Sequence, residues 1–492
     1  MNQLEPALIE SALSDPEAGV RENAIRLAEL HLKDEPALAT AMLRLETDPS
    51  PKVRLQLLCT LGFSDTPASR VVQNQLLLSG LEDEWMQVAA LSASSDRAVQ
   101  YFEMAATRQL ELTAAESDAR RSFLRKVGAV IGIRQKPAEM QKVLQAAAND
   151  TQPGSIWWRA AALEGLAQGV VRRKRDGAAL KEVHELLFRL FESPAAPIRR
   201  SALTLLETSG ASAGTSYQYA QRILSAEVRS LAAAGDRMLD SDRRADAVAF
   251  LAMIAPEKHR GLFEKLISPG EPDSVQIAAV RGLGKIPGEA VGTFLISKWR
   301  VLTGPVRTQA AEAVLHDPAR FPQILRALQH EDVQAWTLNF SQKRRLLMNR
   351  DPKIRDVARA VLDEKPGERD AVVKRYQAAL NVNGDSVRGK RVFQEICAKC
   401  HKLDGIGAEV GPDLGTVRNR PASVLLGDIL VPSKSIAQKY EAYVVEQVSG
   451  GMSEGVIGSQ TPTSLTLRQE EGKEIVIPRS DIKRMYASNL SA

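Results

Sequence analysis

The chain has 492 residues, of which 44% are hydrophobic and 25% are charged, and its formal net charge is +5. This length allows two or more domains with large buried cores, and the composition is that of an ordinary globular protein. Because the basic residues are spread among acidic ones, we interpret the short basic runs that begin at Arg172 and Lys343 as solvated helix faces, and we predict no nucleic-acid partner.

The N-terminal segment MNQLEPALIESALSDPEAGV is acidic and amphipathic, and it lacks the basic and apolar regions of a secretion signal. The sequence contains no stretch of 18 apolar residues, so we predict no transmembrane segment. Aromatic residues make up only 5% of the chain. This scarcity favours cores of alanine, leucine and valine, as in long helical solenoids.

One sequence phrase recurs through residues 1–365: a turn with proline or aspartate, a small apolar residue followed by arginine, and then a helix rich in alanine and leucine. Copies begin at Asp15, Asp48, Glu82, Ser155, Ser193, Glu271, Thr303 and Asp351. A long interval separates the third copy from the fourth, which indicates divergent or interrupted repeats. Regular recurrence of this kind is typical of stacked supersecondary units.

Each copy has a physical rationale as one helix of a pair. Aspartate or serine before proline caps a helix whose first turn tolerates the missing N–H. In the second copy Val53, Leu57, Leu58 and Leu61 form one apolar stripe. A single helix pair cannot bury such a stripe, so the copies must stack. The pattern resembles HEAT repeats, which implies an α-solenoid whose surface holds protein partners, and we find no catalytic cluster in it.

A charged segment with proline and glycine, DEKPGERD, follows Leu362 and should end the repeats. We predict a helix over Asp370–Leu380 and an N-cap at Asp385. The resulting division is a HEAT-like helical domain over residues 1–365, a helix and linker over 366–384, and a third domain over 385–492.

Cys397, Cys400 and His401 form the pattern C-x-x-C-H, which is typical of c-type haem attachment. Two thiols at this spacing can add to the haem vinyl groups, and the adjacent imidazole can bind the iron. A thioredoxin-like site would need a preceding strand, and here a helix is predicted instead. A zinc site would need two further ligands, and no cysteine or histidine follows His401.

The residues around this motif resemble class I cytochromes c. Gly389, Phe393 and Cys397 match the first helix of that family, whose glycine and aromatic residue contact a C-terminal helix. The segment Gly411–Leu414 resembles the G-P-x-L loop of the family. This resemblance implies that the Pro412 carbonyl accepts the Nδ1–H of His401, a bond that fixes the tautomer of the proximal ligand.

After Pro432 the sequence changes to β-rich segments, which begin at Tyr440, Met452, Ser464 and Lys473. We place turns between them at Gly450-Gly451 and Glu471-Gly472. The predicted fold is therefore mostly α: a HEAT-like solenoid followed by a class I-like cytochrome c domain with a small β insertion at about 438–486.

The arrangement from VVKRYQAAL through C-x-x-C-H, ILVPSKSIAQKYEAY and IPRSDIKRMYAS closely resembles a family of large haem proteins from planctomycetes and verrucomicrobia. In that family a β-propeller resembling sugar dehydrogenases precedes HEAT-like repeats and a C-terminal cytochrome c domain. The resemblance implies that this chain is a fragment truncated at both ends, and that the intact protein is periplasmic or otherwise exported. It also implies that the sixth iron ligand, a methionine, falls just beyond Ala492. Met485 and Met452 are weaker candidates for that ligand.

These features predict a c-type cytochrome that transfers one electron through a single covalent haem c and serves a periplasmic dehydrogenase module or another redox partner protein. The chain has no dinucleotide fingerprint and no acid–base cluster, so we do not expect it to be an enzyme; any dehydrogenase activity would belong to the propeller or a partner. The alternative is a scaffold in which the repeats bind proteins and the haem is sensory or vestigial.

Overall fold

The computed structural model describes residues 5–32, 34–64, 66–92, 96–107, 111–149, 153–173, 183–210, 217–362, 370–432 and 436–491. The chain forms two compact units, Met1–Arg222 and Ile223–Ala492. Helices dominate the described residues, which confirms the mostly α class, and a small sheet lies near the C-terminus. Three parts of the predictions lie outside the described residues: positions 363–369 of the charged segment that follows Leu362, the end of the first basic run at Lys174 and Arg175, and Ala492.

The helices up to residue 208 are α1 (Pro6–Ala12), α2 (Ala18–Ala28), α3 (Pro36–Leu43), α4 (Pro51–Leu61), α5 (Pro67–Ser79), α6 (Glu84–Ser92), α7 (Arg97–Ala106), α8 (Asp118–Arg134), α9 (Pro137–Asn149), α10 (Ile156–Arg173), α11 (His184–Phe191) and α12 (Ala196–Thr208). Those that follow are α13 (Tyr217–Gly235), α14 (Ser241–Ile254), α15 (Arg260–Leu266), α16 (Asp273–Gly284), α17 (Glu289–Ser297), α18 (Gly304–His316), α19 (Phe321–Gln329), α20 (Phe340–Leu347), α21 (Pro352–Leu362), α22 (Asp370–Tyr376), α23 (Ser386–Glu395) and α24 (Ala422–Leu430).

Every copy of the recurrent phrase leads into a helix, namely α2, α4, α6, α10, α12, α16, α18 and α21. Four neighbouring pairs of this set pack on one another: α2 on α4, α4 on α6, α10 on α12 and α16 on α18. The long interval between the third and fourth copies contains α8, which packs on α10, and α14 likewise packs on α16. These two helices begin at the polar caps Ser117 and Asp240 rather than at proline, which is why the phrase does not mark them.

The arginine of the phrase binds the turn that precedes its own helix. Arg21 donates to the carbonyl of Asp15 at 2.8 Å, and Arg199 donates to the carbonyls of Ser193 at 3.0 Å and Pro194 at 2.7 Å. Each bond satisfies a carbonyl that the turn would otherwise leave without a partner. Arg21 also pairs with Asp48 of the next copy at 2.7 Å, and this bond lowers the pKa of the Asp48 carboxyl.

Helices α8 and α10 meet backbone to backbone through four glycines, two on each helix and four residues apart: Gly128, Gly132, Gly165 and Gly169. A Cβ atom at Gly165 would overlap the carbonyl oxygen of Arg125, and one at Gly128 would overlap that of Ala162. Only glycine permits this approach. The sequence phrase does not reveal the contact, because glycine inside a helix ordinarily indicates weak helix propensity.

Five antiparallel strands form the C-terminal sheet in the order β4-β3-β2-β1-β5: β1 (Glu441–Gln447), β2 (Met452–Gln460), β3 (Ser464–Arg468), β4 (Glu474–Pro478) and β5 (Ile482–Ser491). The first four correspond to the four predicted β segments. The last was not predicted as a separate strand, and it extends the β region to residue 491. The turns at Gly450 and at Glu471-Gly472 are confirmed, with φ of 93° at Gly450 and 64° at Glu471.

A buried ionic contact joins the sheet to the repeats of the second unit. Arg307 on α18 pairs with both carboxylate oxygens of Glu441 on β1, at 2.9 and 2.8 Å, and donates to the Tyr443 hydroxyl at 2.8 Å. All three side chains are at most 2% exposed. Burial raises the pKa of Tyr443 well above its usual value, so the phenol stays protonated and donates to Glu441 at 3.0 Å.

A second contact lies nearby: Arg479 donates from the sheet to the carbonyls of Pro269 and Glu271, each at 2.9 Å. The sheet and the repeat helices from α14 onward therefore belong to one compact unit. The division of the chain near residue 365, made from the sequence, stays a prediction. In the part of the chain that the structure describes, no helix combines the length and apolarity that crossing a bilayer requires.

The glycine contact predicts that Gly165→Ala lowers the free energy of unfolding by about 1–3 kcal/mol, because the added methyl group must push α8 away from α10. Urea unfolding of the full chain, followed by circular dichroism, measures the change. Gly19→Ala is the matched control, since Gly19 lies in α2 with open space around it; there alanine should be neutral or stabilising by up to about 1 kcal/mol. Identical midpoints for the two variants would argue against the close contact.

The Arg307 contact predicts a larger loss of stability than the glycine contact does. Arg307→Met should lower the free energy of unfolding by about 3–5 kcal/mol, because the Glu441 carboxylate stays buried without its cation. Arg345→Met is the control, since the ion pair of Arg345 with Glu312 is solvent-exposed at 42% and 36% of the two side chains, and its loss should change stability by at most about 1 kcal/mol. The same urea experiment compares them, and equal losses would contradict a special role for Arg307.

Candidate haem-attachment site

The attachment motif lies directly after α23, whose N-terminus is capped as predicted: Asp385 accepts from the backbone N–H groups of Val387 and Arg388 at 3.0 and 3.1 Å. Cys397–Lys399 continues as one 3₁₀ turn, and the His401 N–H donates to the Cys397 carbonyl at 2.8 Å. Side chains three residues apart in such a turn project to the same side. The two cysteines are partly exposed free thiols, as addition to a cofactor requires.

The segment after His401 folds back onto the motif. Leu403 and Ile406 exchange two backbone hydrogen bonds across a tight turn at Asp404 and Gly405, whose φ angles are 51° and 80°. Further on, the Ala408 N–H donates to the Ala398 carbonyl at 2.8 Å. The chain then runs beside the motif, so that the loop and the two cysteines form one hydrogen-bonded structure.

His401 is held by this loop from one side of its ring. Its Nδ1–H donates to the Pro412 carbonyl at 2.9 Å, which is the contact that the class I resemblance implies. With Nδ1 as the donor, Nε2 carries the lone pair that can bind a metal. The Gly411 N–H donates to the Cys400 carbonyl at 2.7 Å and anchors the loop beside the ring.

Gly411 also has a steric role that the sequence pattern does not make evident. A Cβ atom at this position would lie 2.5 Å from Cε1 and 2.8 Å from Nδ1 of His401. The imidazole therefore lies so close to Gly411 that no side chain fits between them. Gly407 is similarly constrained, because its φ is 102° and a Cβ there would overlap the His401 carbonyl oxygen. A sequence analysis that looked for glycines at sites of close backbone approach could have identified both positions.

Large apolar side chains are exposed in the helices and connections that precede and follow this segment in the sequence. No residue of α23 or α24 is buried. The exposed apolar residues have 39–74% of their surface accessible and are Val372, Tyr376, Leu380, Val382, Val387, Val392, Ile396, Val424 and Ile429. So much exposed apolar surface beside two thiols and an oriented imidazole fits a porphyrin, which is a large apolar ring system.

The β3–β4 turn lies against the attachment segment. Lys399 pairs with Glu470 at 3.2 Å. Burial raises the pKa of the Cys400 thiol, and the negative charge of Glu470 adds to this shift. The contact between the motif and the sheet was not predicted, since the two residues are 71 positions apart in sequence and Lys399 occupies a position of the motif that any residue can fill.

The two candidate methionines lie in different environments. Met452 is the first residue of β2 and is 73% exposed. Met485 lies inside β5, where it pairs with Val445 and packs in the sheet core at 2% exposure. The sixth ligand, whether one of these or a residue beyond Ala492, stays a prediction, as does the contact of Gly389 and Phe393 with a terminal helix.

Comparison with known proteins identifies the domain. Residues 386–466, which extend from α23 into β3, match the family model described as Cytochrome c. No curated protein has a significant match to the chain.

Solved structures of the karyopherin Kap121p are distantly similar. Kap121p bound to Pho4p has a TM-score of 0.47 and 13% sequence identity, and the match covers 97% of this chain and 52% of that one. Kap121p bound to the extreme C-terminus of the protein phosphatase Cdc14p has a TM-score of 0.38 and 13% identity, and the match covers 76% of this chain and 50% of that one. Kap121p without a named partner has a TM-score of 0.35 and 13% identity over 80% and 40%. The chain thus spans about half or less of these proteins, and likeness of this degree carries no functional conclusion.

The family match and the geometry agree on the cofactor. Residues 386–466 form a cytochrome c domain, whose cofactor is covalently bound haem c with its iron. The residues present fit this group: Cys397 and Cys400 would hold the porphyrin, and His401 would bind the iron. The domain has a haem-binding, electron-transfer role.

The close contact of Gly411 with the His401 imidazole predicts that Gly411→Ala displaces His401 from Pro412 while leaving both thiols able to react. We expect the protein to retain covalent haem but to show an altered iron ligand field, visible as a changed Soret band. Gly427→Ala is the control, because Gly427 in α24 has no neighbouring atom within reach of a Cβ. An unchanged spectrum in the Gly411 variant would contradict the steric argument.

Proposed function

We propose that this chain transfers single electrons between a dehydrogenase module or partner and a respiratory carrier in the periplasm. The observation that supports this most directly is the oriented proximal ligand: His401 donates from Nδ1 to Pro412 within a segment that matches cytochrome c. Haem c, when bound, supplies an iron that alternates between the Fe(III) and Fe(II) states.

The protein's own residues have separate tasks in this proposal. Cys397 and Cys400 tether the porphyrin through thioether bonds, which retain it even though the surrounding helices have no buried core of their own. Pro412 keeps His401 in one tautomer and makes it a stronger donor to the iron. Gly411 allows the ring to lie close to the loop that carries Pro412.

The larger family from planctomycetes and verrucomicrobia gives this domain its proposed context. Stacked repeats, a cytochrome c domain and a β region occur here in the order that the resemblance implies. In that context any substrate oxidation belongs to a propeller module or a partner, and this chain is not itself an enzyme. The repeats would offer a surface for protein partners. Export follows from the proposal, because haem is attached to c-type proteins after secretion.

The test is covalent haem in the full chain, produced in an export-competent host with c-type maturation machinery. We expect a pyridine haemochrome spectrum equivalent to one haem per chain and a reversible one-electron reductive titration. Cys400→Ser removes one tether, so haem that survives denaturing electrophoresis should fall strongly or disappear.

Cys59→Ser is the matched control, since Cys59 lies in α4 and is partly buried in the repeats. It should leave haem content unchanged. A colourless wild-type protein with both motif thiols free to react with iodoacetamide would disprove the proposal. Haem that binds but cannot be reduced and reoxidised would refute electron transfer while leaving attachment intact.

A further inference from the structure

We propose that the repeats of the second unit bind the surface of an anionic lipid bilayer through helix α20 and the turn that follows it. The contact residues are Phe340, Lys343, Arg344, Met348 and Arg350, and we call them the α20 surface. This inference goes beyond the proposed function and does not depend on haem.

Positive charge is concentrated around this helix. Residues 339–362 carry seven basic and two acidic side chains, a net charge of +5, which equals the formal net charge of the whole chain. Of the basic side chains, Arg345 pairs with Glu312 at 3.2 Å. Among the residues that the structure describes, no carboxylate lies within ion-pair distance of the three cations of the α20 surface. Their charge is therefore available to an anionic partner.

The same surface exposes two large apolar side chains, with 81% of Phe340 and 70% of Met348 accessible. Over residues 239–339, all of which the structure describes, no large apolar side chain is exposed. The basic run alone indicates a solvated helix face. The apolar side chains distinguish this surface from such a face, because clustered apolar exposure marks sites of interaction.

The packing of α20 fixes the direction of these side chains. Gln342 and Leu346 are fully buried and attach one side of the helix to the repeats. Phe340, Arg344 and Met348 follow one another at intervals of four residues, so they lie together on a different side. The Met348 N–H donates to the Arg344 carbonyl at 2.9 Å, which continues the helical spacing as far as Met348. One side of α20 thus presents an apolar, a basic and an apolar side chain in turn.

A bilayer fits this arrangement better than a protein does. An acidic protein would have to supply carboxylates and an apolar pocket at matching positions. A bilayer supplies both kinds of contact everywhere on its surface: headgroup phosphates attract arginine and lysine, and the boundary between headgroups and acyl chains accepts aromatic and other apolar side chains. Phe340 and Met348 would enter that boundary while the cations bind the phosphates.

The experiment compares two double variants of the full chain. Lys343→Gln/Arg344→Gln removes two charges from the α20 surface. Arg281→Gln/Lys285→Gln removes two exposed charges from the C-terminal end of α16, where no large apolar side chain is exposed. Glutamine has a helix propensity close to that of lysine and arginine, so both variants should fold, as circular dichroism can verify.

The probe is cosedimentation with vesicles of phosphatidylcholine, either alone or mixed with anionic phosphatidylglycerol. We expect the wild type to bind the anionic vesicles at low salt and the neutral ones several-fold more weakly. The α20 variant should bind anionic vesicles several-fold more weakly than the wild type, and the α16 variant should bind them equally well. The difference should vanish near about 1 M salt, where exposed charges are screened. Equal losses in the two variants, or wild-type binding that is independent of phosphatidylglycerol, would overturn the proposal.

The variant Phe340→Ser tests the apolar part of the contact. Because Phe340 is mostly exposed, its replacement should leave the urea midpoint unchanged. It should weaken binding to anionic vesicles several-fold, since the apolar contact with the boundary region is lost. Met238→Ser is the matched control, because Met238 is 93% exposed and lies outside the α20 surface; its vesicle binding should equal that of the wild type. Wild-type binding by Phe340→Ser would contradict insertion into the bilayer.

Poly-L-glutamate distinguishes an acidic protein partner from a bilayer. Binding to this polypeptide at low salt without binding to anionic vesicles would redirect the α20 surface to a protein and refute the proposal. The comparison between variants does not require the cofactor. A failure of haem attachment would therefore disprove the proposed function and leave the vesicle result decisive for the α20 surface.

Discussion

The buried pair of Arg307 and Glu441 joins the helical repeats of the second unit to the sheet, and the bonds of Arg479 add to this contact. Two charges taken out of water are costly unless each finds several partners. Here the guanidinium binds both carboxylate oxygens, the Tyr443 hydroxyl and the Leu302 carbonyl. Arg307 is also the arginine of the recurrent phrase. It therefore binds a carbonyl just before its own helix, as Arg199 does, and at the same time binds Glu441 on the sheet.

A continuous set of contacts extends from this pair to the haem motif. Glu441 belongs to β1, β1 pairs with β2, β2 with β3, and the turn after β3 carries Glu470, which binds Lys399 between the two motif cysteines. The sheet is therefore more than an insertion in a small cytochrome. It supports the attachment segment at one end and rests on the repeats at the other, while α22–α24 leave their apolar side chains available to the cofactor.

Local sequence patterns predicted the parts of this structure that depend on local chemistry. The recurrent phrase located eight helices because proline, aspartate and arginine each satisfy a requirement of the helix start. The β-rich segments that became β1–β4, and the glycines at the turns between them, were likewise recognised from the sequence. Contacts between distant segments were not predictable: nothing near Arg307 marks it as the partner of Glu441, 134 residues away. The same holds for Lys399 with Glu470 and for the position of Met485, whose apolar side chain suits a core as well as it suits iron.

The four glycines between α8 and α10 have a mechanical consequence. Repeat proteins deform elastically because side chains at each helix–helix contact can shift or change rotamer as neighbouring units tilt. Where two backbones touch directly, no side chain is available to adjust. The α8–α10 pair should therefore move as a single stiff body, so that any bending of the repeats in the first unit is taken up at the contacts on either side of it.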